Sequence, residues 1–142
     1  MSAKKFALYG GIIMFTMGLV AIIPGLEGSK EGLPELKLDT SYGAFLGLFP
    51  MNIANKIALL SFGIAGIAVG RISDKAYSIH YARLVFFVMG AAAILGVYDS
   101  TDTLFGFWPL YGGEIIAHGL FAVLGGICGF IPSHSTKQEI SV

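Results

Sequence analysis

Residues 47–70 read GLFPMNIANKIALLSFGIAGIAVG, an apolar run interrupted near its start by Asn52, Asn55 and Lys56. A hydrocarbon core of about 30 Å takes roughly 20 mostly apolar helical residues to cross, so this run reads as a membrane span. Outward along the chain the same kind of run recurs, at Phe6–Ile23 before Pro24 and Gly25, at Tyr77–Tyr98, and at Gly112–Ile131 before Pro132. The expected spans are therefore about 6–23, 49–70, 77–98 and 112–131. They must be helices, because a backbone in lipid has to satisfy its own hydrogen bonds. Composition agrees: the 142 residues are 55% hydrophobic and 13% charged, with a mean hydropathy of +0.76. A soluble domain carries about 25% charged residues. Too few charges remain here to coat a surface facing water.

The opening stretch has a counterpart. Residues 106–129, GFWPLYGGEIIAHGLFAVLGGICG, align with 47–70 without gaps. The identical pairs are Gly47/Gly106, Pro50/Pro109, Ile57/Ile116, Ala58/Ala117, Phe62/Phe121, Gly66/Gly125 and Gly70/Gly129, with Phe49 against Trp108. The first and third spans align through Tyr9/Tyr81, Phe15/Phe87, Met17/Met89, Gly18/Gly90, Ala21/Ala93 and Ile22/Ile94. This pattern predicts an all-α membrane four-helix bundle, one domain over 1–142. Its repeat halves are 6–70 and 77–131, two tandem transmembrane helical hairpins related by a pseudo-two-fold axis along the membrane normal, as in parallel-repeat transporters. Lys4 and Lys5 precede the first span as they would a signal peptide. Its apolar run is longer than the usual 7–15 residues, however, and it mirrors a genuine span, so it is expected to be retained. Gly66 with Gly70, and Gly125 with Gly129, have the small-xxx-small spacing that lets helices approach closely. They are expected at the seam between the hairpins.

Lysine and arginine set the orientation. Lys4, Lys5, Arg71, Lys75, Arg83 and Lys137 fall on one side, and only Lys30 and Lys37 lie in the loops of the other. Both termini are therefore expected in the cytoplasm, in a bacterial inner (cytoplasmic) membrane.

Charge and residue inventory exclude several function classes. The formal net charge is zero, and without a basic patch to neutralise phosphates nucleic acid is not an expected partner. Cys128 is the single cysteine, so no intramolecular disulfide or cysteine zinc site can form. Only His118 lies within a span, since His80 sits at a span edge and His134 in the tail. Bis-histidine haem cannot be built within one chain on that set, and one histidine with one glutamate is too few for zinc or iron. No metal site and no cofactor is expected. No acyl-transfer triad, phosphate-binding loop or dinucleotide fingerprint is present. The one sizeable loop, GLEGSKEGLPELKLDTSYGA (residues 25–44), is too small for a catalytic domain. Tyr98, Trp108 and Tyr111 suit an interfacial aromatic belt.

The interrupting polar residues admit two arrangements. In one, Lys56 snorkels to the headgroups from a helix that starts near Pro50. Asn52 and Asn55 then satisfy backbone at that start, and Glu114 sits at the positive end of a helix dipole with His118 one turn below. In the other, Lys56, Glu114 and His118 converge between the hairpins, where with Asn52 and Asn55 they would bind a ligand or relay protons.

The two motifs resemble a bacterial family of small four-helix membrane proteins, a domain of unknown function. GLFPMNIANKIA carries its pattern through Gly47, Pro50, Asn52 and Asn55, with Ala54 and Ala58 where the family pattern has histidines. YGGEIIAH carries it through Gly112, Glu114 and His118. The resemblance covers roughly residues 40–130 and implies a fold, not an activity. More distantly the chain is similar to DoxX-like four-helix membrane proteins, which are associated with quinone or thiol redox work. The expected role is a non-enzymatic structural or accessory membrane subunit, or a homo-oligomer, with the lipid bilayer or a larger membrane complex as partner. The alternative is a small transporter, channel or redox-associated protein using the outer polar cluster.

Overall fold

The computed structural model describes residues 1–72 and 74–131; Pro132, His134 and Lys137 lie outside the described residues. Ser2 opens the first helix, its hydroxyl accepting from Lys5 N at 3.3 Å as an N-cap. The elements are α1 (Ala3–Ile22), β1 (Gly43–Phe45), β2 (Phe49–Met51), α2 (Ile53–Arg71), α3 (Lys75–Val97) and α4 (Gly113–Phe130), with a short 3-10 turn at Leu104–Gly106. All four helices are long and apolar enough to cross a membrane. The fold is an all-α bundle of two helical hairpins, α1 on α2 and α3 on α4. Long loops join the partners within each hairpin at the end of the bundle away from the start of α1, labelled the outer end and outer loops for that place alone. Residues 72–74 connect the hairpins, with Asp74 capping α3 through Ala76 N at 2.8 Å.

The second helix starts later than Phe49 or Pro50. Residues Phe49–Met51 are extended and pair antiparallel with Gly43–Phe45, placing Ala44 opposite Pro50. Leu46 and Gly47, both at positive φ (54° and 71°), make the turn between the strands. A proline is tolerated in such a two-stranded edge. Asn52 then ends the strand by offering its side chain to the first free N–H groups of α2. Lys56 consequently stands in the first turn of its helix, shallower than a start at Pro50 implies.

The glycine spacing has a different use from the one expected. Gly70 lies inside the first hairpin, against α1, while Gly66 meets both α1 and, across the seam, the Tyr81 ring of α3. A Cβ at Gly63 would stand 2.5 Å from Phe15 N, one at Gly66 2.6 Å from Tyr81 Oη and 2.7 Å from Ala7 O, and one at Gly70 2.7 Å from Leu8 N. Gly125 and Gly129 do the same inside the second hairpin, where added Cβ atoms would lie 2.7 Å from Ala82 O and 2.9 Å from Arg83 Cγ. Close backbone approach is what small residues supply in lipid, where no hydrophobic drive presses helices together. The rest of the seam is built from large side chains: Phe6 and Met14 of α1 pack with Tyr81, Val85 and Met89 of α3. Tyr81 Oη donates to Phe62 O at 2.8 Å and Ser78 Oγ to Val69 O at 3.0 Å, tying α3 to α2. The flanks are apolar and exposed, for example at Ile12, Ile64, Leu84, Ile94, Ile116 and Leu120. That is the pattern of a bundle solvated by lipid.

Candidate functional site: an apolar cavity with a polar corner

The outer end of the bundle is organised by the residues that interrupt the opening stretch. Asn52 and Asn55 form a capping box: Asn52 Oδ1 accepts from Ala54 N (3.0 Å) and Asn55 N (3.3 Å), and Asn55 Oδ1 accepts from Asn52 N (3.2 Å). Their remaining N–H groups reach both outer loops. Asn52 Nδ2 donates to Leu38 O at 2.9 Å and Phe107 O at 2.8 Å, and Asn55 Nδ2 to Pro109 O at 3.1 Å. The loops also join directly, through Lys37 N and Leu38 N to Gly106 O and through a hydrogen bond between the Tyr42 and Tyr111 hydroxyls. Burial pushes both phenols up from their ordinary value.

Lys56 is fully buried and turns toward the first loop. Its ammonium donates to Ser41 O (2.8 Å) and Ser41 Oγ (2.6 Å) and stands 3.7 Å from the Glu27 carboxylate, which also accepts from the Ser41 hydroxyl. Lys56 therefore neither snorkels to headgroups nor meets Glu114. The sequence pattern misses Glu27 and Ser41 because nothing local links a loop carboxylate to a helix 29 residues on.

The Ser41 hydrogen bond, and then the Lys56 charge, hold the Glu27 carboxyl below its ordinary value of 4.5. A carboxyl lowered by folding stabilises the folded form fully above its ordinary value, and that contribution fades as pH falls through the lowered one. The loop around Ser41 is thus expected to keep constant amide-exchange protection, corrected for intrinsic rates, above about pH 4.5 and to lose it below. Glu27→Gln should flatten that acid limb. The exposed Lys30–Asp39 pair in the same loop shares the direction but contributes little in open solvent. An unchanged acid limb in Glu27→Gln would therefore contradict the assignment.

Glu114 and His118 face the other way. Glu114 is 5% exposed, and its Oε2 meets His118 Nε2 at 3.4 Å across one helical turn. Both line a cavity of about 440 Å³ between α2, α3, α4 and the second outer loop. Asn55, Phe62, Met89, Leu95 and Trp108 are among its walls. Among the described residues, Glu114 Oε1, His118 Nδ1 and Trp108 Nε1 are buried without a hydrogen-bond partner. All three belong to residues lining this one cavity. Buried polar atoms are nearly always paired, and leaving them otherwise is costly. Of the sequence candidates, then, Glu114, His118 and Asn55 share the cavity, while Lys56 and Asn52 hold the loops above it. Trp108, expected in the aromatic belt, has its indole N–H among the three unpaired atoms. The signal that could have found it is its place in the same motif, six residues before Glu114.

Four apolar helices around a lipid-facing bundle with a buried polar corner define a multi-pass integral membrane protein. The chain belongs to the family described as Domain of unknown function (DUF4383), whose model matches residues 4–131. No curated protein and no solved structure matches it.

Proposed function

We propose that this protein holds a small lipophilic molecule in the cavity beside Glu114 and His118, in a bacterial cytoplasmic membrane with both termini inside. One observation carries the reading: three buried polar atoms, on residues of the second outer loop and α4 that line the same apolar cavity, go unpaired. A purely structural bundle would gain by replacing them with apolar groups. The volume of about 440 Å³ falls in the range of roughly 300–1,000 Å³ usual for small-molecule sites. We read the role as binding, as an accessory subunit or small carrier. The two hairpins are read as halves of a duplication in which only the second acquired the polar corner. The orientation rests on Lys4, Lys5, Arg71, Lys75 and Arg83 sharing one end of the bundle; a reporter active only in the cytoplasm, fused to Val142, should be active.

The experiment is mass spectrometry of what co-purifies. Wild-type protein is expected to carry a discrete small molecule beyond bulk lipid. Ala58→Phe, which puts a ring into the cavity wall, should lose it, and Glu114→Gln should hold about tenfold less. Identical lipid-only extracts from all three would sink the reading, and co-isolation with a larger membrane complex would leave the structural role in its place.

A further inference from the structure

The hydrogen-bonding capacity of the unpaired atoms narrows what the cavity takes. A net charge in an apolar cavity is costly, so the Glu114–His118 pair is neutral overall. Three proton placements achieve this while keeping Oε2 and Nε2 together. A carboxylic proton on Oε2 can face Nε2, leaving the imidazole proton on Nδ1. An ionised carboxylate can face a doubly protonated ring. A carboxylic proton can sit on Oε1 while Nε2–H faces Oε2. The first two leave a donor at His118 Nδ1 and an acceptor at Glu114 Oε1, and the third exchanges those roles. With the Trp108 indole, which only donates, every placement presents two donors and one acceptor.

The complement is a group that donates once and accepts twice, which is the capacity of a hydroxyl. An ether or ketone leaves the acceptor unmet, a carboxylate does so while adding charge, and an ammonium leaves both donors unmet. Apart from Asn55, whose amide is bonded to Asn52 N and Pro109 O, the rest of the wall is apolar: Ala58, Leu59, Phe62, Val88, Leu95 and Leu110 among others. Phe87 and Val88 of α3 line the cavity yet are 63% and 40% exposed on the flank of the bundle. That side faces hydrocarbon, while Leu104, Trp108 and Leu110 of the second outer loop roof the outer end.

Resting on the reading of this cavity as a ligand site, we infer that its occupant is an uncharged lipophilic alcohol or phenol. It enters sideways from the bilayer past Phe87 and Val88, and its hydroxyl engages Glu114, His118 and Trp108.

Trp108 is the single tryptophan, so the site carries its own reporter. The protein in lipid nanodiscs would be titrated with a long-chain alcohol brominated a few carbons from its hydroxyl, with the methyl ether of that alcohol, and with the matching carboxylate. Bromine quenches indole fluorescence on contact. Saturable quenching by the alcohol is expected, with the ether and the carboxylate each at least about tenfold weaker. Glu114→Leu should reduce the alcohol's advantage over the ether to about threefold or less; the wild-type comparison stands by itself should that variant fail to fold. Equal saturable quenching by alcohol and ether, or tightest binding of the carboxylate, would overturn the hydroxyl assignment and leave the cavity a ligand site. Quenching that rises linearly with every probe, as for partition into lipid alone, would overturn both, with water then serving the polar corner.

Discussion

Gly63→Val should cost the protein about 3 kcal/mol or more and lower its resistance to unfolding by sodium dodecyl sulfate. The reason lies in how α1 and α2 meet. A Cβ at Gly63 would stand 2.5 Å from Phe15 N, 2.7 Å from Phe15 Cα and 2.7 Å from Phe15 Cβ, and two of those atoms are backbone. Flexible side-chain ends could yield; a helix backbone cannot, except by moving the whole of α1 outward. Such a shift would also open the contact at Gly11, whose own Cβ would lie 2.7 Å from Ile67 N. In lipid the lost van der Waals contact is not replaced by any hydrophobic drive. Gly119→Ala is the control, since nothing lies within 4 Å of a Cβ there. Relief of the glycine penalty in a helix should leave it unchanged or more stable by up to about 1 kcal/mol. Equal unfolding midpoints for Gly63→Val and Gly119→Ala would mean that the hairpin is not held by backbone approach.

Asn52→Ala is the second large effect, about 2–4 kcal/mol. Loss of an N-cap alone costs about 1 kcal/mol. Here the same side chain also donates to Leu38 O and Phe107 O in part-buried bonds, each of which contributes about 0.5–1.5 kcal/mol. The informative comparison is Asn52→Asp. Aspartate caps a helix as well as asparagine does and favours the positive end of the dipole, so a residue acting only as a cap should be fully replaced by it. At this position its carboxylate would face two carbonyl oxygens inside the protein. Asn52→Asp is therefore expected to be no more stable than Asn52→Ala at neutral pH, with Trp108 emission shifting as the second loop loosens from α2. Wild-type stability in Asn52→Asp would reduce Asn52 to a cap and remove it from the architecture of the cavity roof.

Much of the site was legible in part. Asn52, Asn55, Glu114 and His118 stand out in the sequence because polar side chains are rare in spans and demand a reason. Their division into two separate networks was not legible. Lys56 follows Asn55 directly, yet one residue is about 100° of helical turn. That rotation sends Asn55 toward the cavity and Lys56 toward Ser41 and Glu27. The glycine pairs show the same limit. Spacing announces that two helices come close, but a four-helix bundle offers several partners for each face, and only the packed arrangement shows α1 and α3 to be the ones chosen.

Membrane class, helix number and the four apolar segments follow from composition and run length, because lipid solvation constrains every residue along a span in the same way and leaves a one-dimensional record. Which side chains meet, where α2 begins, and the cavity with its three unpaired atoms depend on contacts between segments far apart in the chain. Trp108 and Glu114 line one wall with Asn55 only after the second outer loop has been fastened to α2. No local pattern encodes that closure; the hydrogen bonds from Asn52 and Asn55 to both loops bring it about.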